Sequence, residues 1–146
     1  MQNEGYKKQS SRYIIGIDFD GTIVTHEYPR VGKPVKLAKE VISMLVSNGH
    51  RCFLFSMRDG KELADAKKYC EDNGIELCGY NESPEQFSDS PKQYGTFYID
   101  DAAIGCPLEF DPKFSYRPYV KWFEIAKYLA SYGLLSADQL DILRKF

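Results

Sequence analysis

The chain has 146 residues, of which 43% are apolar and 27% are charged, as is typical of a globular protein that forms one domain. Its net charge is −2, so it lacks the basic surplus that attracts nucleic acid or an anionic membrane surface. No apolar run approaches the length of a membrane span, and we therefore expect neither nucleic-acid binding nor membrane association.

The N-terminal segment Met1–Arg12 is polar and lacks the apolar core of a signal peptide. We interpret it as a leader that precedes a single domain over 13–146. The four cysteines include no C-x-x-C pair, and no histidine is placed to complete a zinc site. This usage favours a reduced, cytoplasmic setting. Cys52 and Cys106 lie in apolar, strand-like runs, where we expect them to be buried.

The first predicted strand is an apolar, β-branched run that begins at Tyr13 and ends in Asp18 and Asp20, which Gly21 and Thr22 follow. Two carboxylates at the end of a buried strand are costly unless a positive charge compensates them. A hard divalent cation such as Mg²⁺, which takes oxygen ligands, would supply that charge. For this stretch alone, an ordinary strand that ends in a polar Asp-Gly turn is the alternative.

The segment Val24–Pro34 contains two prolines and a glycine and is predicted to be a loop. Because it leaves directly from the acidic turn, a flap that faces a substrate and a plain surface connection are equal alternatives. His26 is the histidine that lies near the acids in this segment, and we expect it to have no role.

The middle of the chain alternates helices and strands that are bounded by turn-forming residues. Asp59 and Glu62 have the spacing of a capping box, and Asn48-Gly49 is typical of a helix end. The predicted elements are a helix over Val35–Ser47, a strand over Arg51–Ser56, a helix from Asp59 to about Asn73, a strand over Ile75–Tyr80, a loop over Asn81–Tyr94 with one helical turn at Pro84–Phe87, and a strand over Thr96–Ile99.

Aromatic residues are concentrated in the C-terminal third. Asp100 and Asp101 directly follow the fourth predicted strand, so a second pair of acids ends a strand. The face Tyr119–Ala130 has helical spacing, and we expect it to be core, with contact between copies in a homo-oligomer as the alternative. Cys106–Phe110 is predicted to be a fifth strand, and Ser136 is predicted to cap a final helix.

Alternating strands and helices imply an α/β fold with a doubly wound parallel sheet and helices on both faces, in three α/β/α layers. The carboxyl ends of parallel strands meet at one edge, where ligands bind at the point at which strand order reverses. If the first strand lies between the second and the fourth, the acids of both pairs and Ser56 converge there. Carboxylates, a hydroxyl and an ammonium group around a metal suit phosphoryl transfer.

This order of motifs resembles the haloacid dehalogenase (HAD) superfamily of phosphohydrolases. The first motif, D-x-D-G-[TS] after an apolar strand, is matched by Asp18-Phe19-Asp20-Gly21-Thr22. The second, an apolar strand that ends in Ser or Thr, is matched by Phe53-Leu54-Phe55-Ser56. Lys92 takes the place of the third, a lysine ahead of the fourth strand. The fourth, an apolar strand that ends in an acidic pair, is matched by Phe97-Tyr98-Ile99-Asp100-Asp101.

The resemblance implies that Asp18 is a nucleophile, which forms an aspartyl-phosphate that water then hydrolyses. Asp20 would protonate the leaving oxygen and later activate the water, as in the phosphatases of the superfamily, and its backbone carbonyl would bind Mg²⁺. Asp101 resembles the direct metal ligand, whereas Asp100 would bind directly or through water. The implied metal ligands are Asp18, Asp20, Asp100 and Asp101, and the implied phosphate-binding residues are Ser56, Lys92, Gly21 and Thr22.

Other basic residues near these motifs have competing interpretations. Arg58 could contact the substrate or pair with Asp59 or another neighbour, and we weigh these equally. Lys67 and Lys68 are rivals of Lys92, but their helical periodicity places them on an exposed face.

The intervals between the motifs leave no room for the inserted cap domain that many members of the superfamily carry. The site should therefore be open, with the loops Val24–Pro34 and Asn81–Tyr94 or a neighbouring subunit as its roof. The expected function is Mg²⁺-dependent hydrolysis of a small phosphate monoester. The alternatives are a phospho-accepting receiver, which needs its aspartate on a middle strand where this chain has Ser56, and a catalytically silent binding module.

Overall fold

The structure is a computed structural model that describes residues 12–146. Except for Arg12, the leader expected at Met1–Arg12 lies outside the described residues.

Three parallel strands form the central sheet of this mixed α/β chain, in the order β2-β1-β3. Strand β1 spans Ile14–Ile17, β2 spans Arg51–Leu54 and β3 spans Phe97–Ile99. Every residue of β1 is buried, which explains its continuous apolar run, because a central strand of a parallel sheet is covered on both faces. The first strand thus lies between the second and the fourth predicted strands, which is the condition under which the acidic pairs meet.

The strand predicted at Ile75–Tyr80 is reduced to a single bridge between Tyr80 and Leu54. The segment still runs beside β2, since Leu54 donates a backbone hydrogen bond of 2.9 Å to the carbonyl of Gly79. Backbone hydrogen bonds of 2.8 Å also run from Cys78 to the carbonyl of Cys52 and from Asn81 to the carbonyl of Leu54. The prediction of a full strand was wrong in its first half, because the N–H of Ile75 donates to the carbonyl of Cys70 in the preceding helix.

Four helices occur in residues 12–146, and one of them, the last, begins at a side-chain cap. The first helix starts at Ala38 rather than Val35, because Leu37 has a positive φ of 71°. Asp59 precedes the second helix, but its side chain makes no capping hydrogen bond, so the capping-box prediction was wrong. The predicted Ser136 cap is confirmed. The helices are α1 (Ala38–Ser47), α2 (Gly60–Asp72), α3 (Trp122–Ser131) and α4 (Ala137–Leu143).

Two short antiparallel strands, β4 (Leu108–Glu109) and β5 (Tyr119–Val120), replace the predicted strand at Cys106–Phe110 and the start of the predicted helix. Val120 also donates a hydrogen bond of 2.9 Å to the carbonyl of Gly21, which keeps this stretch extended. The helical turn predicted at Pro84–Phe87 is absent, because the described backbone there is irregular.

The core prediction for the face from Tyr119 to Ala130 is confirmed by the burial of Trp122, Ala126 and Leu129. Cys52 is buried as predicted, whereas Cys106 is only half-buried. None of the helices described in residues 12–146 is both long and apolar enough to cross a bilayer.

Candidate functional site

The ends of the three parallel strands are held at one edge of the sheet. Ile17 faces Leu54 on one side and Ile99 on the other, so the residues that follow leave the sheet together. Asp18 donates its backbone N–H to the carbonyl of Ile99 at 2.9 Å, and Phe55 donates to the carbonyl of Ile17 at 2.8 Å. The two predicted acidic pairs are therefore brought to the same edge.

Asp18, Asp100 and Asp101 form the carboxylate cluster, in which one oxygen atom from each residue lies within 4.8 Å of the others. Asp20, the fourth predicted ligand, does not contribute its side chain to this cluster. All three clustered residues are partly buried. Sequence positions that are about 80 residues apart thus converge on one small volume.

The donor set of this cluster fits Mg²⁺. Carboxylate oxygens are the ligands that the ion prefers, and at a Mg–O distance of about 2.1 Å opposite ligands of an octahedron lie about 4.2 Å apart. Oxygens that span up to 4.8 Å reach such positions with small side-chain movements. Asp18, Asp100 and Asp101 would therefore hold the ion, with water or a phosphate oxygen as the remaining ligands.

The carboxylates of the cluster destabilise one another's charge. Burial raises the pKa of Asp18 well above its usual range, and the hydrogen bond with Asp101 and the charge of Asp100 raise it further. Burial also raises the pKa of Asp100, and the charge of Asp101 raises it further. The hydrogen bond that the Ala102 N–H donates to Asp100 lowers this pKa, but the net shift is upward. A cation at the cluster would relieve this repulsion.

Gly21 lets the chain pass close to the carboxylate cluster. Its φ is 82°, and a Cβ atom there would lie 2.1 Å from Nε2 of His26 and 2.4 Å from Oδ2 of Asp101. Its N–H donates to the carbonyl of Val24 at 2.7 Å and is thus occupied within the turn. The N–H of Gly21 is therefore used inside the protein, and the phosphate contact of this residue stays a prediction.

Thr22 is fully buried and orients two members of the cluster. Its hydroxyl donates to Oδ2 of Asp18 at 3.1 Å and accepts from the N–H of Asp101 at 3.3 Å, while its own N–H donates to the carbonyl of Phe19. Both donors of Thr22 are thus used inside the protein, and its phosphate contact stays a prediction.

His26 contacts the cluster, although the sequence led us to expect no role for it. Its Nε2 lies 2.7 Å from Oδ2 of Asp101, and both side chains are 12% exposed. A hydrogen-bonding group outside the ligand set can fix the orientation of a carboxylate that binds a metal. The signal in the sequence was the position of His26 in the loop that leaves the acidic turn.

Ser56 lies in the loop after β2, which Asn81 holds in place. Its N–H donates to Oδ1 of Asn81 at 2.7 Å, and its hydroxyl accepts the N–H of Arg58 at 3.0 Å. Asn81 also donates to the carbonyl of Arg58 at 2.8 Å. Within the described residues the Ser56 hydroxyl has no acceptor for its own proton, so it can donate to a ligand. Sequence reasoning missed Asn81.

Arg58 is 1% exposed and pairs with Asp20. Its Nε and Nη2 donate to the two carboxylate oxygens at 2.8 and 2.7 Å. Its other contacts are the carbonyls of Pro29, Arg30 and Glu62. Of the two interpretations, the structure places Arg58 in an ion pair with a neighbour, and its burial argues against a direct substrate contact.

Lys92 is exposed, and its ammonium lies 5.4 Å from the centre of the Tyr98 ring. No ion pair in the described part of the chain joins Lys92 to an acid. Lys67 and Lys68 are exposed on α2, as predicted. The structure thus gathers the carboxylates and orients them, but does not bring the predicted phosphate lysine into contact with them.

A scan against protein-family models and a search of curated proteins both found no match for this chain. Among solved structures, it is similar to a conserved protein coded by a locus from Bacteroides thetaiotaomicron, at 38% sequence identity and a TM-score of 0.60. The match covers 64% of this chain and 79% of that protein. The chain therefore belongs to the same family as this conserved Bacteroides thetaiotaomicron protein.

Proposed function

We propose that this protein is a HAD-like phosphohydrolase that uses Mg²⁺ to hydrolyse a phosphate monoester on Asp18. The observation that carries this proposal is the approach of Asp18, Asp100 and Asp101 to within 4.8 Å at one edge of a parallel sheet. Strand β1 lies between β2 and β3, and a doubly wound arrangement places ligands at such a reversal of strand order.

The surroundings of Asp18 support its proposed role as nucleophile. Its carboxylate is oriented by the Thr22 hydroxyl, at the end of a strand that is buried on both faces. When bound, Mg²⁺ would lower the repulsion between this carboxylate and an anionic phosphate. Asp18 would then attack phosphorus and release the alcohol, and water would hydrolyse the aspartyl-phosphate to regenerate the carboxylate.

Asp20 would donate the proton to the leaving oxygen and later take one from the attacking water. Both of its oxygens accept hydrogen bonds from Arg58, so one of these bonds must open before the proton is delivered. The Ser56 hydroxyl would donate to the phosphoryl oxygens. Proton transfer on Asp20 is therefore coupled to the arginine beside it.

The Arg58–Asp20 pair also favours the second candidate, a catalytically silent module that binds a cation and a phosphate group. An acid that stays bound to a buried arginine does not transfer protons. Such a module would bind Mg²⁺ and phosphate but would turn over no ester.

Turnover of an aryl phosphate by the purified full chain separates the two candidates. We expect hydrolysis with Mg²⁺ that stops with EDTA, and loss of at least a thousandfold in kcat for Asp18→Asn with retained folding. Asp65→Asn, at a partly exposed position of α2, is the matched control and should keep full activity. Cation binding without turnover would support the silent module, and full activity of Asp18→Asn would exclude Asp18 as nucleophile.

A further inference from the structure

A cavity of about 430 Å³ lies between the loop that follows the acidic turn and the segment Pro112–Tyr116. His26 lines this cavity, and its imidazole is also the group that contacts Asp101 at 2.7 Å. The cavity therefore adjoins the proposed reaction site. Its volume is in the range of about 300 to 1,000 Å³ that small-molecule sites occupy.

Three cationic residues line the cavity, namely Arg30, Lys33 and Lys113, together with one acid, Glu27. Glu27 accepts a hydrogen bond of 3.1 Å from the Thr25 hydroxyl and lies 3.7 Å from Arg30, so its charge is partly compensated. The lining thus carries a positive surplus in a chain whose net charge is −2. A positive concave surface concentrates anionic ligands.

The backbone of Lys33 is fixed by hydrogen bonds within its own loop. Its backbone N–H donates to Oγ1 of Thr25 and its carbonyl accepts the N–H of Thr25, both at 2.9 Å. Its ammonium lies 4.9 Å from the centre of the Phe114 ring on the opposite wall. The loop that contains Lys33 is also held by Arg58, which donates hydrogen bonds to the carbonyls of Pro29 and Arg30.

Lys113 lies in a turn that is closed by hydrogen bonds to Asp111. Its N–H donates to Oδ1 of Asp111 at 2.9 Å, and Phe114 and Ser115 both donate to the carbonyl of Asp111. Lysines 33 and 113 therefore come from two separately fixed walls of the cavity. Ordering of the walls beforehand lowers the entropic cost of binding.

We propose that this cavity binds a second anionic group, so that the substrate is a small phosphate ester that also carries a carboxylate or a further phosphate. This inference rests on the proposed function, because the carboxylate cluster is taken to hold the phosphate that is removed. Lys33 and Lys113 provide the charge that recognises the second group, and His26 lies between the two anion positions.

Binding of non-hydrolysable phosphonates to the full chain with Mg²⁺ tests this inference by calorimetry. The probes are phosphonoacetate, phosphonopropionate and phosphonobutyrate, each compared with its neutral carboxamide. We expect at least one acid to bind about tenfold more tightly than its amide, as one charge-assisted contact provides. Lys33→Ala and Lys113→Ala should each remove most of this preference. Lys145→Ala, an exposed lysine at the far end of the chain, should leave it unchanged.

Equal binding of every acid and its amide would overturn the inference, and so would a preference that survives in Lys33→Ala,Lys113→Ala. If simple aryl phosphates are hydrolysed in the same preparation, this failure leaves the proposed function intact. If no phosphonate binds and no ester is hydrolysed, the proposed function fails as well. Both lysines are exposed, so the variants should fold normally.

Discussion

The guanidinium of Arg58 donates two hydrogen bonds to the carboxylate of Asp20, at 2.8 and 2.7 Å. This buried pair joins the turn after β1 to the loop after β2. Further bonds from Arg58 to the carbonyls of Pro29 and Arg30 bring the loop around His26 into the same unit. Arg58 thus connects Asp20, the proposed proton donor, with one wall of the cavity that Lys33 and Lys113 line.

Replacement Arg58→Met should lower the free energy of unfolding by about 3 kcal/mol, because removal of one member of a buried ion pair leaves the other uncompensated. Urea denaturation at neutral pH measures this change. The control Arg51→Met breaks a pair with Glu85 in which both side chains are about half exposed. In this control, the free energy of unfolding should fall by less than about 1 kcal/mol. Equal losses in the two variants would contradict the assigned importance of the Arg58–Asp20 pair.

Replacement Asp18→Asn should stabilise the metal-free protein at neutral pH. Burial and the neighbouring acids raise the pKa of Asp18 above its ordinary value of 3.8, so ionisation costs the folded state more than the unfolded state. This cost is absent below pH 3.8 and grows as the pH rises toward the folded-state pKa. The expected gain at pH 7 is about 1 to 2 kcal/mol.

Chemical denaturation in EDTA at pH 4 and pH 7 measures the effect of Asp18→Asn. The gain should be confined to the higher pH and should disappear with saturating Mg²⁺, which stabilises only the wild type strongly. Asp65→Asn again serves as the control, since Asp65 is partly exposed on α2 and pairs only with Lys61. A gain of equal size at both pH values would argue against charge repulsion as its cause.

Replacement Gly21→Ala should abolish Mg²⁺ binding, because the new methyl group would occupy the space of the His26 ring and the Asp101 carboxylate. Gly133→Ala is a matched control, since Gly133 has a similar φ of 86° but nothing within 4 Å of the added carbon. Both variants should lose about 1 kcal/mol from backbone strain. Only the first should also lose Mg²⁺-induced thermal stabilisation, and retained stabilisation in Gly21→Ala would refute the close packing at this turn.

Replacement His26→Ala should weaken Mg²⁺ binding by about 10- to 100-fold, as removal of a group that orients a metal ligand does. The imidazole contacts Asp101 at 2.7 Å and would no longer orient that carboxylate. Calorimetric titration with Mg²⁺ measures the affinity, and His26→Gln should retain part of it through its side-chain amide. Unchanged affinity in His26→Ala would mean that the contact does not influence the cluster.

The convergence of the acidic pairs could be predicted from the sequence because each pair directly follows an apolar strand. Parallel strands align their carboxyl ends, so the local pattern was sufficient to predict that Asp18 and Asp101 lie at one edge of the sheet. The C-terminal end of α1 at Asn48 and the N-terminal cap of α4 at Ser136 were predictable for the same local reason. These features depend on residues within a few positions of one another.

The partners of Arg58 and His26 could not be predicted, since each pair joins side chains that lie far apart in the sequence. Arg58 and Asp20 are 38 positions apart, and His26 and Asp101 are 75 positions apart. The helical periodicity that begins at Tyr119 was misleading for a related reason. Tertiary pairing of Val120 with Gly21 overrides the local pattern there.

The acidic turn near the start of the chain is completed by residues near its end. Val120 donates to the carbonyl of Gly21, and the indole of Trp122 donates to the carbonyl of Thr22 at 2.7 Å. During synthesis, residues as far as Trp122 must therefore leave the ribosome before these two carbonyls find their donors. Thr22 and Trp122 are 100 positions apart, so the acidic turn is made long before its last hydrogen bonds can form.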